Sequence, residues 1–349
     1  MNGASRTSAA TDREPPLVSV LLATRNGSRY LEESLASLRA QTYTAIEIVA
    51  VDDGSTDRTP AILSAFAATH PATRVLRTEG IGLAGALALA ARHGRGVFLA
   101  RQDDDDRSHP DRIARQAAYL DSHTEISVVG TAATTIDENG VPFQVYPVPV
   151  GPDAIRHTFR RAVPFVHGSV MMRRATYEAA GGYRAPFRAS QDYDLWLRLG
   201  EGAGLANLPD ALYEWRLHPG GVFSRARSDQ LFYSAVARAF ADERRSTGRD
   251  SIALLESCGA PDAFLARYPF AGRLAFYLGE IHAREGLARE ARAYLARALA
   301  DPRSRADAFP WWVLSWALPF TPRARRARAR ARAGAAGHHP PAATERRSA

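Results

Sequence analysis

Lysine is absent from this 349-residue chain, so all 45 basic side chains are arginines. Alongside heavy use of alanine, this reflects the base composition of the coding sequence before it reflects function. It does remove lysine as a grip for a phosphate group. Cysteine occurs once, at Cys258. That excludes a disulfide framework and a cysteine-rich zinc site, and it fits a reducing compartment. No run of 18 or more apolar residues occurs, which excludes a transmembrane helix on length. A secretory leader is not expected either. Residues 1–14 are polar, and the apolar stretch Leu17 to Ala23 is too short and lacks a preceding basic run. The expected location is cytoplasmic.

What is present fits a globular protein: apolar residues make up 46% and charged residues 23%, enough for one large domain plus an appendage. The formal net charge of +8 is unevenly distributed. Arg323 to Arg332 reads RARRARARAR, six arginines without an acid, and the rest of the chain is nearly neutral.

After a segment expected to be disordered (1–14), short apolar runs alternate with helical spacing. Leu17–Ala23, Ile46–Val51, Arg74–Leu76 and Gly96–Ala100 read as strands. Helical segments are expected from Ser28 through Leu38, from Thr59-Pro60, from Leu83 to His93 and from Asp111 to Leu120. The alternation predicts an α/β fold with a mostly parallel sheet covered on both faces. Ile126–Gly130 reads as a further strand, and Asn139 to Val150 as a proline-rich loop. From 229 to 308 the pattern is helical. Within it, Leu274 to Pro302 has the small/large spacing of a single tetratricopeptide-like unit, read as a plain helical hairpin packed on the main domain.

Ligands of such sheets bind beyond the carboxyl ends of the strands. Two acidic clusters fall there: Asp52-Asp53 before Gly54-Ser55, and the run Asp103-Asp104-Asp105-Asp106. A solvated loop is the ordinary reading of a charge run, and a turn the ordinary reading of Asp-Asp-Gly-Ser. Four adjacent carboxylates at a ligand edge, however, call for a cation. Mg²⁺ typically takes one or two carboxylates together with substrate phosphates. A carboxylate ending the second strand can accept hydrogen bonds from a ribose or a base.

These segments resemble glycosyltransferase family 2. The resemblance runs through Val18 to Asn26, Val51 to Asp57, and Ala100 to Asp106 with Pro110 and Arg112. It continues in Gly181 to Arg184 and Gln191 to Leu199, and closes with Tyr213 to Pro219. It covers roughly residues 16–228. It implies a GT-A fold, expected over residues 15–228, and an inverting single displacement from a nucleoside-diphosphate sugar. By position it implies that Thr24, Arg25, Asp52 and Asp53 hold the nucleotide. Asp103 and Asp105 would form the Asp-x-Asp pair, with Asp104 beside the nucleotide-sugar and Asp105 nearest a Mg²⁺ or Mn²⁺ ion. His218 would lie near the diphosphate or the metal; Asp106, outside that set, is expected to support the loop or the following helix. Asp192 matches the catalytic base. Its ordinary alternative is a helix N-cap ahead of Tyr193, Leu195, Trp196 and Leu199.

Gln191 stands where the family often has glutamate. The Gln-x-x-Arg-Trp block of processive synthases is missing after His218, which argues for transfer of a single sugar. His167 is a weaker acceptor-side candidate, and Trp196 is expected in the core. The implied acceptor is a glycan or a lipid-linked sugar, with a role in cell-surface polysaccharide synthesis. Competing readings are a non-catalytic sugar-nucleotide-binding protein and a related nucleotidyl or sugar-phosphate transferase. A nicotinamide dehydrogenase would need Gly-x-Gly-x-x-Gly where Thr24-Arg25-Asn26-Gly27 stands.

Residues 309–349 hold Trp311, Trp312 and Trp316 and then the arginine run. Tryptophan favours membrane interfaces and polybasic segments favour anionic lipid, so 310–332 is read either as a peripheral membrane contact on the inner face or as closure of the helical core. A nucleic-acid partner is not expected, because no fold signature accompanies the arginines.

Overall fold

The structure, a computed structural model, describes residues 14–159, 162–218 and 227–317. The expectations for residues 1–13 and for the arginine run lie outside the described residues. The chain divides into two compact units, Met1–Arg225 and Ala226–Ala349.

The first unit opens with β1 (Val18–Thr24), α1 (Leu31–Arg39), β2 (Ile46–Asp52), α2 (Thr59–Thr69), β3 (Thr73–Arg77), α3 (Gly82–His93) and β4 (Phe98–Gln102). These strands pair in parallel, in the order β3-β2-β1-β4. Both faces are covered over β2, β1 and β4, which is why these strands are largely apolar and buried, whereas the edge strand β3 (TRVLR) is mostly exposed. Leu21, Ala23, Val49, Val51 and Leu99 pack on one side, with α3. Val18, Val20, Leu22, Ile48, Ala50 and Phe98 pack on the other, with Leu31 and Leu35 of α1 and Leu63 of α2. Register places Thr24 opposite Asp52 and Leu22 opposite Gln102. The three strand ends therefore reach the ligand edge together.

The unit continues through β5 (Arg107–Ser108), α4 (Arg112–Ser122), β6 (Ile126–Ile136), β7 (Pro142–Tyr146), α5 (Pro152–Phe159), β8 (Met171–Arg173), α6 (Arg174–Ala179), α7 (Gln191–Leu199) and β9 (Gly204–Arg216). Antiparallel β8 joins β4 to β6, β9 runs parallel to β6, and β5 closes the path on β9. The expected loop at 139–150 contains β7, a strand paired with β6 only. All five of its residues are exposed, so no inward/outward alternation marks it. Pro142 is tolerated because it opens an edge strand. Trp196 is fully buried, in the core as expected.

The second unit is helical: α8 (Arg227–Thr247), α9 (Ile252–Cys258), α10 (Pro261–Arg267), α11 (Ala271–Arg284), α12 (Ala288–Ala300) and α13 (Arg305–Ala317). The small/large spacing of the hairpin has a steric cause. A Cβ at Gly279 would lie 2.5 Å from Leu295 Cγ, so glycine lets α11 and α12 meet closely. The hairpin finds its cover within its own unit, on α8 and α13.

Candidate active site

Gln102, the last residue of β4, organises the turn that follows. Its buried amide nitrogen donates to Ser34 Oγ (3.1 Å), Asp103 O (3.1 Å) and Asp106 O (3.0 Å). Its oxygen accepts from Ser108 Oγ at 2.6 Å and from Arg112 at 3.3 Å. Asp103 N donates to the Tyr213 hydroxyl (3.1 Å), and Asp106 Oδ1 accepts from Arg216 N (2.7 Å). Asp106 is thus buried as a loop support, whereas Asp103, Asp104 and Asp105 are half-buried.

Burial first, and then mutual crowding, set the electrostatics of this turn. Burial, then the charges of Asp105 and Asp103, push the Asp104 carboxyl up to about 7, against a hydrogen bond from Thr24. Asp105 is raised by burial and by Asp103, and Asp106 is raised well above the usual range by burial and by both neighbours. The cations that oppose this are few. Arg101, fully buried in β4, holds Asp103 Oδ1 at 2.5 Å. His218 Nε2 lies 3.1 Å from Asp105 Oδ2, beneath the ring of Tyr30 at 5.0 Å between centroids.

Among the described residues, no group of three or more His, Cys, Asp or Glu is arranged to hold a metal ion alone. Asp105 and His218, 3.1 Å apart, are donors of the type a divalent cation takes when substrate phosphate oxygens complete its shell. Such an ion would relieve the repulsion that raises Asp104 and Asp105.

The turn after β1 lies against this cluster. Thr24 Oγ1 donates to Asp104 Oδ2. A Cβ at Gly27 would fall 2.2 Å from Asp104 Oδ2 and 2.5 Å from Thr24 Oγ1, so only glycine leaves room for that contact. Asn26 takes a left-handed conformation (φ 57°) and ties this turn to the next one: its amide donates to Ser55 Oγ at 2.9 Å, and its side-chain oxygen accepts from Thr56 N at 2.8 Å. Arg25 is exposed and reaches toward Gly80.

Asp52 and Asp53 end β2 as expected, and both are buried. Asp53 accepts from Thr78 Oγ1 (2.6 Å), Ile81 N (2.7 Å) and Gly82 N (2.8 Å), so its carboxylate holds the start of α3. Asp52 Oδ1 accepts from Ser55 N at 2.9 Å. Its Oδ2 is buried with no hydrogen-bond donor among the described residues, 3.7 Å from the Arg77 guanidinium.

Asp192 is half-buried in the first turn of α7. The N-cap is Ser190, two residues earlier, in a left-handed conformation (φ 53°) that costs a non-glycine residue about 1–3 kcal/mol. The capping alternative for Asp192 is thereby corrected: a side chain already inside the helix is not the cap. No hydrogen bond to the Asp192 carboxylate forms among the described residues.

His167 is half-buried. Its Nε2 is 2.8 Å from the Tyr183 hydroxyl. Burial pushes the imidazole below its usual value and Arg101 adds to this, while Asp192 and Asp103 both oppose it. The same two aspartates act on the Tyr183 hydroxyl, which burial raises well above its ordinary range.

Sequence reasoning missed several of these residues. Arg101 and Tyr213 fall in the matching blocks, yet the sequence alone assigns neither a role. Asp194, fully buried, pairs with both Arg184 and Arg198, and Arg198 also donates to Gly182 O at 2.6 Å. The Gly181–Arg184 and Gln191–Leu199 blocks are therefore two halves of one clamp, a link that their spacing alone does not reveal.

Comparison with known proteins bears on the family and the fold. The model of the family "Glycosyl transferase family 2" matches residues 19–180. The chain is 38% identical over 208 residues to "Putative glycosyltransferase EpsE" of Bacillus subtilis (strain 168), covering 58% of this chain and 73% of that one. It is 33% identical over 204 residues to the amylovoran biosynthesis glycosyltransferase AmsE of Erwinia amylovora, covering 57% and 76%. Among solved structures, the mannosyltransferase PcManGT from Pyrobaculum calidifontis, in complex with GDP-Man and Mn²⁺, superposes with a TM-score of 0.55 at 20% identity, over 90% of this chain and 83% of that one. S. aureus TarS 1-349 in complex with UDP-GlcNAc gives 0.55 at 18% identity, over 91% and 92%.

Proposed function

The chain belongs to glycosyl transferase family 2, and from that premise we propose that it moves one sugar, with inversion, from a nucleoside-diphosphate sugar to a hydroxyl of a glycan or lipid-linked acceptor. The observation that carries this reading is the crowding of Asp103, Asp104 and Asp105 at the ligand edge, with Thr24 on Asp104 and His218 Nε2 3.1 Å from Asp105 Oδ2, while Asp192 stands on a separate segment in the first turn of α7. Inverting displacement needs two such centres, one for the departing diphosphate and one for the incoming hydroxyl.

On this reading, Asp192 takes the proton of the acceptor hydroxyl as its oxygen bonds to the anomeric carbon. The bond from that carbon to the diphosphate oxygen breaks, and the electron pair leaves with the nucleoside diphosphate. Asp103, Asp105 and His218 would hold Mg²⁺ or Mn²⁺, which supplies Lewis-acid stabilisation of the charge on the leaving group. Thr24 positions Asp104 at the donor side, and Arg25 offers an exposed cation there. Oδ2 of Asp52, which accepts no hydrogen bond among the described residues and is ion-paired with Arg77 at 3.7 Å, is an acceptor for a ribose or base donor. Asp53 acts by holding the start of α3, which faces the same edge.

The relatives support this reading. PcManGT and TarS bind GDP-Man with Mn²⁺ and UDP-GlcNAc respectively, and AmsE is named for amylovoran biosynthesis, which favours a role in cell-surface polysaccharide assembly. Among the described residues, no helix is long and apolar enough to cross a membrane.

The test is a screen of nucleoside-diphosphate sugars for diphosphate release with Mg²⁺ or Mn²⁺, using the wild type and Asp192→Asn. The expected outcome is metal-dependent release from one donor class. Asp192→Asn should lose roughly 10²–10⁴-fold in turnover with the donor KM retained. Undiminished turnover in Asp192→Asn would remove the base assignment.

A further inference from the structure

Helix α13 is inverted relative to an ordinary soluble helix. Ala308 and Ser315, small residues, are fully buried, as is Ser304 just before the helix. The large apolar residues point outward: Phe309 is 57% exposed, Val313 51% and Trp316 57%. Their spacing of i, i+4 and i+7 puts the three on one stripe. A contiguous exposed apolar stripe marks an interaction surface.

Arginines stand beside the stripe, Arg292 at Trp316 and Arg284, which is paired with Glu280 at 2.7 Å, at Trp311. The guanidinium of Arg292 lies 4.6 Å from the centroid of the Trp316 ring, and its Nη1 donates to Ser315 O at 3.1 Å. Arg284 stacks over Trp311 at 4.9 Å. Asp307, an acid on this helix, is paired with Arg273. In the sequence, the run from Arg323 to Arg332 begins six residues beyond Ala317 and adds six arginines.

We propose that this face of α13 docks on an anionic lipid surface. The helix lies in the interface plane, with Phe309, Val313 and Trp316 at the headgroup boundary and the arginines on lipid phosphates. Thirteen residues rise only about 20 Å, short of the ~30 Å hydrocarbon core, so the helix lies on the membrane and does not span it. Charge decides between occupants. A second copy of the chain would bring two arginine runs together, whereas an anionic surface neutralises them. This inference is independent of the sugar-transfer reading, and its test uses no activity.

The experiment is vesicle flotation of the full-length protein at low and physiological salt, with phosphatidylcholine vesicles containing or lacking phosphatidylglycerol. The wild type should float with the phosphatidylglycerol vesicles only, and more weakly as salt is raised. The variant Phe309→Ser/Val313→Ser/Trp316→Ser replaces exposed side chains and should keep the wild-type melting temperature. Its partitioning should fall on the order of a hundredfold. A second variant, with Arg323, Arg325, Arg326, Arg328, Arg330 and Arg332 changed to Gln, leaves α13 intact and should lose about fivefold per arginine that contacts lipid. A wild type that stays unbound at low salt overturns the proposal, as does undiminished flotation of the serine variant. If the serine variant turns a dimer into a monomer in sedimentation while vesicle binding is unchanged, the stripe is a self-association surface and the proposal fails.

Discussion

The turns after β2 and β4 carry the same residue type at the same sheet edge and use it in opposite ways. In the β2 turn, Asp53 is buried and accepts three hydrogen bonds, two of them from backbone amides, so its charge holds a loop. In the β4 turn, Gln102 and Asp106 hold the backbone, while Asp103, Asp104 and Asp105 stay half-buried and repel one another. A carboxylate saturated by amides belongs to the scaffold. Carboxylates crowded beyond what local cations neutralise are poised for a ligand cation.

Substitutions should separate the two turns. The largest effect is expected for Asp105→Asn. Diphosphate release should fall on the order of a thousandfold, because Lewis-acid assistance is worth several kcal/mol, while the metal-free melting temperature should not drop. Next comes Asp53→Ala, which strands the amides of Ile81 and Gly82 and should cost about 3 kcal/mol in denaturant unfolding. A stability unchanged by Asp53→Ala would erase the distinction between the turns.

A smaller effect concerns pH. The folded state raises Asp104 from 3.8 to about 7, so folded protein binds this proton more tightly than unfolded protein does. That contribution to metal-free stability is fully present below the unfolded value and is lost as pH rises through about 7. Asp104→Asn should flatten this slope and raise the metal-free melting temperature above neutral pH by roughly 2–4 °C, the equivalent of ~1 kcal/mol. An identical pH slope in the variant would show that Asp104 does not carry it. Gly27→Ala should be smallest in stability, at about 1 kcal/mol, because the new methyl meets the side-chain ends of Asp104 and Thr24 and displaces their contact, with a measurable loss of donor affinity.

The parts of the molecule legible in the sequence are those set by local pattern. β1, β2 and β4 are largely apolar because both faces of the sheet are covered; β1 and β2 end at Thr24 and Asp52, and β4 ends at Gln102, just before the acidic run that marks the ligand edge. β7 escaped because its exposed side chains give no period. The different fates of Asp53 and Asp105 were equally hidden. Ile81 and Gly82, which saturate Asp53, lie 28 and 29 residues away, and His218, which meets Asp105, lies 113 residues away. Asp194 and Asp192 share one helix turn, yet only the fold shows that the first is locked to Arg184 and Arg198 while the second is not a cap.

The most direct measurement is the melting temperature of the full-length protein on adding Mn²⁺ together with a nucleoside diphosphate, compared between wild type and Asp105→Asn. Ligand at about a hundred times its Kd contributes about 2.7 kcal/mol, a rise of roughly 5–10 °C, and this is expected for the wild type and not for the variant. A wild-type melting temperature that does not move with either nucleotide base, or that moves equally in Asp105→Asn, would contradict the assignment of the β4 turn as the cation and diphosphate site.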